Sequence, residues 1–359
     1  MCSCAQVVPP SGGKKDRKKP EIQDIYLTKE DQEINLTFIF NEHIQFNNWS
    51  ENFYISPPIK NPIKQSIAGK TLVLKIQDTL SEKLTYNISL DNCIKDMTEA
   101  NILDSLHFLL SLNNLKDSSI LSGKLIDAYS LDPIDNNWVM LFDEHIIDSL
   151  IFENSPRFVA KTNSQGGFVF PNLKKGEKYK VFALSGFDFL YDKEEKVAFY
   201  NKKIEVEKDT FIYLYSFKPY IEEERKTDSI NNNITDTINE NLAGNILIIT
   251  NNTKPCVFQL QKSEKIIHEY YFDQPPFILK DVRPDTYTLK YIEDLNQDRK
   301  WNTGDLQLRI YPEKVSIYSK KENPIKENLT VWNTLCSCNL YYRELCIYSR
   351  SSAPICYSK

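Results

Sequence analysis

The sequence predicts an all-β protein of several sandwich domains in tandem, and three observations predict it. Short apolar runs alternate at every second position and are broken by turn residues at the spacing of sandwich strands. Aromatics are 12% of the 359 residues, mostly the 20 Tyr and 19 Phe that suit half-buried pleated strands. The length exceeds one sandwich of roughly 100 residues and points to two or three domains. With 41% hydrophobic and 26% charged residues, each domain has enough apolar surface for a core. The net charge of -5 supplies no basic field of the kind nucleic-acid binders use, so no nucleic-acid partner is expected. No apolar run approaches the roughly 18 residues of a spanning helix.

Residues 1–19 are rich in Pro, Gly, Lys and Asp without apolar periodicity, and read as a flexible tether. Its basic run Lys14, Lys15, Arg17, Lys18 and Lys19 is read as solvated linker, with anionic headgroups as an alternative contact. Met1-Cys2-Ser3-Cys4-Ala5 has the form of the end of a bacterial lipoprotein signal, without the charged and apolar regions that precede it. The first domain, 20–118, opens with Ile34, Leu36, Phe38 and Phe40 on one face of a strand. Further strands follow at 53–55, 71–76 and 84–90, separated by Pro57-Pro58, Ala68-Gly69-Lys70 and Asp78-Thr79. The second, 119–218, has strands near 121–126, 138–142, 168–173 and 179–184. Residues 219–240 are a polar linker. The third, 241–332, begins near 244–249 and repeats the aromatic-led strand, aliphatic, turn and Tyr of the second: 277–287 echoes 168–179. Cys93 and Cys256 are expected as small buried hydrophobes. Cys336, Cys338, Cys346 and Cys356 fall in a tail, 333–359, whose spacing is not that of a zinc site.

Chemistry is sparse. His43, His107, His145 and His268 stand in no H-E-x-x-H spacing, no Ser lies in G-x-S-x-G, and neither lone Cys has an activating signature. No enzymatic activity is expected. One loop stands out: Asp294, Asn296, Asp298, Asn302 and Asp305 place oxygens at positions 1, 3, 5, 9 and 12, with the Lys300 carbonyl at 7, which is calcium-loop spacing. Arg299 replaces the Gly usual at position 6 and Asp305 is shorter than a bidentate Glu, so the expectation is a calcium-braced β-connection. Its competitor is a solvated acidic turn with Trp301 packed beneath it.

Several motifs together resemble a known family. Asn41-Glu42-His43, Ile55-Ser56-Pro57-Pro58, Gly69-Lys70-Thr71-Leu72, Thr85-Tyr86-Asn87-Ile88 and Ile94-Lys95-Asp96-Met97-Thr98-Glu99-Ala100-Asn101 resemble, in order and spacing, the S-layer-type Ig-like domain that opens a family of bacterial surface lipoproteins. Cys4 with Pro10, Ser11, Gly12, Gly13, Lys15 and Asp16 is similar to that family's lipidated start. Residues 122–179 resemble a carboxypeptidase-regulatory or prealbumin-like module, and 287–301 with Pro312-Glu313 the family's last domain. The resemblance implies tandem Ig-like and prealbumin-like β-sandwiches on a lipid anchor at Cys4. It implies an outer-membrane lipoprotein of the cell envelope, with an envelope protein or glycan as partner and the membrane reached through the lipid. A carbohydrate-binding accessory protein, using Trp49, Trp138 or Trp301 to stack on sugars, is the first rival reading, and an enzyme with an unfamiliar site the second.

Overall fold

In the computed structural model the alternating runs become strands whose inward residues fill three successive cores. It describes residues 15–30, 33–112, 119–186, 189–207, 210–219, 244–250, 254–263, 265–283 and 285–317, with strands at 329–330, 336–341 and 344–349. Cys4, most of the tether and the 220–240 linker lie outside the described residues.

Unit one comprises β1 (Ile22–Glu30), β2 (Glu33–Phe40), β3 (Ile44–Phe46), a turn of helix α1 (Trp49–Asn52), β4 (Tyr54–Ser56), β5 (Lys64–Ala68), β6 (Thr71–Ile76), β7 (Thr85–Ser89), β8 (Ile94–Asp96) and β9 (His107–Ser111). One sheet runs β1-β2-β6-β5, a second β4-β7-β9, and β3 pairs with β8. Ile34, Leu36, Phe38 and Phe40 of β2 are buried against Leu72, Leu74 and Ile76 of β6 and against Tyr86, Ile88 and Leu110 of the second sheet. A strand with one wet face needs that period of two.

Unit two comprises β10 (Ser119–Asp127), β11 (Trp138–Asp143), a 3₁₀ turn (Asp148–Glu153), β12 (Phe158–Lys161), β13 (Gly167–Leu173), β14 (Lys178–Leu184), β15 (Val197–Phe199), β16 (Ile204–Glu205) and β17 (Thr210–Ser216). Its sheets are β13-β10-β17, with β10 and β17 parallel, and β12-β11-β14-β15, with β16 also on β14. The unbroken apolar run 138–142 has a physical reason: β11 is buried on both faces. Val139 and Leu141 face the sandwich core, while Trp138, Met140 and Phe142 face a second cluster with Phe182, Phe199 and Phe217.

Unit three comprises β18 (Gly244–Thr250), β19 (Cys256–Lys262), β20 (Lys265–Phe272), β21 (Phe277–Val282), β22 (Thr286–Glu293), β23 (Val315–Ile317), β24 (Leu329–Thr330), β25 (Cys336–Tyr341) and β26 (Glu344–Ser349). Its wiring repeats unit two. In each, the first strand pairs antiparallel with the fourth and parallel with a late strand, β10 with β13 and β17, β18 with β21 and β25. The second strand in each pairs with the third and fifth, β11 with β12 and β14, β19 with β20 and β22. Even the irregularity recurs: left-handed Asn172 (φ 55) and Asp281 (φ 58) sit at equivalent register shifts, just before buried Leu173 and Val282. Within the stretch expected as a tail, residues 336–341 and 344–349 are instead strands, because the edge of β18 takes a parallel partner just as β10 does.

The units are joined by packed contacts. Ser56 Oγ accepts the Val159 N–H at 3.0 Å, the Tyr54 and Trp138 rings meet edge-on at 5.5 Å, and Leu84 touches both cores. Between units two and three, Tyr129 donates its hydroxyl to Gln259 at 2.8 Å and lies under the Lys290 ammonium at 3.7 Å.

Candidate functional site

The loop after β22 is built by its own side chains. Buried Asp294 accepts the N–H groups of Asp298 (3.2 Å) and Arg299 (3.0 Å), which folds the chain through left-handed Gln297 and Arg299. Asp298 accepts the Lys300 N–H (2.9 Å) and the side-chain amides of Asn296 (3.2 Å) and Asn302 (2.8 Å). Asp294, Asn296, Asp298 and Asn302 are therefore brought together, with Lys300 engaged through its backbone. Asp305 is occupied elsewhere, accepting the Leu308 N–H at 2.8 Å. The residue that sequence spacing missed is Glu313, whose carboxylate accepts the N–H groups of Leu295 (3.2 Å) and Asn302 (2.9 Å) from the far side of the loop. Burial, with the Asp294 and Asp298 carboxylates nearby, raises its pKa. Its only sequence signal was the Pro312-Glu313 pair. Among the described residues no three His, Cys, Asp or Glu side chains form a metal-holding group.

The loop continues into a strap across unit two. Trp301 donates its indole N–H to the Glu313 carbonyl (3.0 Å) and packs on Tyr129. Tyr311 stacks on Phe199 at 5.1 Å, and its hydroxyl accepts the Asn201 N–H at 2.8 Å. The Arg309 guanidinium lies over Phe182 (4.6 Å) and Phe199 (4.3 Å) and donates to the Tyr200 carbonyl (3.1 Å).

A Ser/His/Asp grouping occurs in unit one. Ser105 Oγ donates to Asp91 (2.7 Å) and lies 3.3 Å from His107 Nε2, which itself meets Asp91 at 3.2 Å. In a nucleophilic relay the imidazole separates the two, one nitrogen to each. Here the same nitrogen faces both, and the other faces Asn87 at 3.4 Å. Asp91 also accepts the Leu106 N–H at 2.7 Å, so the group pins a turn. Burial raises the Asp91 pKa and the His107, Ser105 and Leu106 donors outweigh it, leaving the carboxyl below its ordinary value. Burial also pushes the Cys93 and Cys256 thiols up to about 12, which removes them as nucleophiles near neutral pH.

The Trp residues considered for sugar stacking are not displayed: Trp138 is buried, Trp49 is stacked on Phe53, and Trp301 is pinned as above. Three displayed aromatics stand in a row on β17. Phe211, Tyr213 and Tyr215 are 54%, 50% and 40% exposed and form a row on the outer face of β13-β10-β17. Their neighbours on β10 are Ser122, Lys124 and Ile126, and beyond them Val169 and Gly167 on β13. The row reaches a 210 Å³ cleft between units two and three, where Tyr215 lies with Tyr311, Pro312 and Val315. Period-two alternation in 210–216 signals this face, but does not say which half of it is left uncovered.

Comparison with known proteins bears on unit one. Residues 16–109 match the family model of the bacterial Ig-like domain. No curated protein matches the chain. Among solved structures, the major pilin subunit BcpA of Bacillus cereus matches at 10% identity over 55% of this chain and 70% of its own, with a TM-score of 0.20. The TIE protein of Bacillus anthracis matches at 11% over 92% and 59%, with a TM-score of 0.19. Escherichia coli alpha-2-macroglobulin spanning domains MG0-NIE-MG1 matches at 11% over 77% and 95%, with a TM-score of 0.22. The comparisons thus set unit one, through its residues 16–109, beside the bacterial Ig-like domains.

Proposed function

We propose that this protein is a non-enzymatic lipoprotein of the cell envelope, anchored at Cys4 and presenting rigid tandem sandwiches to an envelope partner, protein or glycan. The observation that carries the reading is the row Phe211, Tyr213 and Tyr215, held outward on a sheet whose other face is core. A row of exposed aromatic rings on a rigid scaffold is what an interaction module offers. The bacterial Ig-like match of unit one supports a surface or envelope setting. No helix among the described residues is long and apolar enough to cross a membrane. In cells, the native protein should enter the detergent phase on Triton X-114 partition, and Cys4→Ala should move it to the aqueous phase. Recovery of unlipidated native protein from the cytosol would refute the anchor.

The carbohydrate reading is favoured specifically by the same row, since exposed rings stack on sugar faces. A glycan array decides it: hits that vanish in the Phe211→Ser/Tyr213→Ser double variant support it, and silence across the array removes it. For the loop at Asp294, Asn296, Asp298, Lys300 and Asn302 we propose calcium as ligand, with Glu313 rather than Asp305 supplying the distal carboxylate. The support is that one turn gathers Asp298 with the Asn296 and Asn302 side chains and sets the Glu313 carboxylate on the Asn302 N–H; both amides turn their N–H groups to Asp298 and would have to rotate to present oxygens to the ion.

A further inference from the structure

The free edge of unit one carries a surface that the proposed function does not use. β1 is an edge strand nine residues long, and among the described residues its only strand partner is β2. Its cross-strand neighbours on the core face, Phe38 and Leu36, are fully buried, yet Ile25 and Leu27 opposite them are 40% and 49% exposed. Tyr26, on the other face, is 52% exposed. The second sheet therefore covers β2 and stops short of β1, leaving both faces of the strand in water. Sheets ordinarily protect an edge by shortness, a bulge, a proline or a charge in mid-strand. β1 shows a register shift only near Ile22, and its middle, Ile25-Tyr26-Leu27-Thr28, has no charge.

What covers such an edge is dictated by its main chain: rows of N–H and C=O groups are satisfied by another strand. We propose that the occupant is β1 of a second copy, giving an antiparallel two-fold dimer centred on Tyr26. A two-fold axis normal to the sheet pairs residues whose numbers have an even sum, because both copies keep the same face up. Centring on Tyr26 sets Ile25 opposite the Leu27 of the other copy, and the reverse, so the apolar triad covers itself. Asp24 then faces Thr28, Gln23 faces Lys29 and Ile22 faces Glu30, so no like charges are opposed. Centring one residue later, on Leu27, sets Asp24 against Glu30 and Ile25 against Lys29. Charge thus disfavours the Leu27-centred register and apolarity the Ile25-centred one, which sets Leu27 against Gln23 and Tyr26 against Asp24; the pairing is isologous and closed, so it stops at a dimer.

The test uses the full chain. Sedimentation velocity at micromolar concentration should show a dimer. Tyr26→Lys, which opposes two ammonium groups on the axis at a solvent-exposed position, should cut the dimer fraction at least tenfold while the circular dichroism spectrum of the folded chain stays unchanged. Register is tested separately under mild oxidation. Tyr26→Cys places the paired Cα atoms about 4.5–5.5 Å apart, within disulfide reach, whereas Thr28→Cys leaves them about 14 Å apart along the strands. A disulfide between copies, mapped to position 26 by mass spectrometry and missing for Thr28→Cys, is the expected result and does not depend on Tyr26→Lys folding. A wild-type monomer overturns the proposal, including one whose β1 edge accepts an unrelated extended peptide. So does a dimer that survives Tyr26→Lys in folded protein, or equal cross-linking at both positions.

Discussion

Asp96 shows how one side chain explains a motif. In Ile94-Lys95-Asp96-Met97-Thr98-Glu99-Ala100-Asn101 the Asp96 carboxylate is fully buried and accepts four backbone N–H groups, those of Thr98 (2.9 Å), Glu99 (2.6 Å), Ala100 (2.8 Å) and Asn101 (2.9 Å). This closes a tight turn through left-handed Ala100 (φ 62) and returns the chain toward β9. Burial alone raises the Asp96 pKa, and the N–H donors outweigh it, so the folded protein holds the carboxyl below its ordinary value. The sign follows. A depressed folded pKa gives stability that is complete above the unfolded carboxylate pKa and is lost as pH falls through the folded one. Asp96→Ala should lower stability at neutral pH by about 3 kcal/mol, since buried N–H groups lose a charged acceptor. In urea titrations the gap between wild type and variant should narrow as pH drops from neutral into the acid range. A gap that stays constant with pH would show that the charge is not what stabilises the turn.

At the scale of elements, the 294–315 segment is a loop and a strap in one. Its acidic residues organise the turn after β22, and the chain then lies on unit two through Trp301, Arg309 and Tyr311. Calcium in millimolar amounts should raise the melting temperature of the full chain through preferential binding to the folded state, and Asp294→Ala/Asp298→Ala should abolish the rise. An unchanged wild-type curve refutes the calcium site. Gly304 tests the strap itself: a Cβ there would lie 2.7 Å from both the Ile310 carbonyl oxygen and the Phe217 ring. Gly304→Ala should therefore destabilise by about 1–3 kcal/mol, read by urea denaturation, because backbone and a buried ring must both move.

For the whole molecule, the junctions decide whether three sandwiches behave as beads or as a rod. Units two and three share Tyr129 with Gln259 and Lys290, and Arg309 and Tyr311 with Phe182 and Phe199. Calorimetry should show them melting in one transition, and Tyr129→Ala with Arg309→Ala should split it in two. Separate transitions already present in the wild type would mean that these contacts carry little coupling. A rod matters to the proposed role because the aromatic row on β17 and the free edge of β1 are then held at fixed separation, available to two partners at once.

What the sequence determined by itself was local and periodic. Alternation at Ile34 to Phe40, turn residues such as Gly69 and the echo of 168–179 in 277–287 follow from strand geometry, which repeats every two residues and leaves its mark on neighbours in the chain. The oxygen donors of the acidic loop were legible for the same reason, since Asp294 to Asn302 are close in sequence. The tertiary structure decided whatever depends on residues remote in sequence. It turned Asp305 away and brought Glu313 in, buried Trp138 from both sides, and set Ser105 and Asp91 on the same nitrogen of His107. It paired β25 with β18 although 90 positions separate Asn339 from its partner Ile249. It also left β1 and the β17 row bare, because whether an apolar face is core or surface depends on where the opposite sheet ends, and no local pattern encodes that boundary.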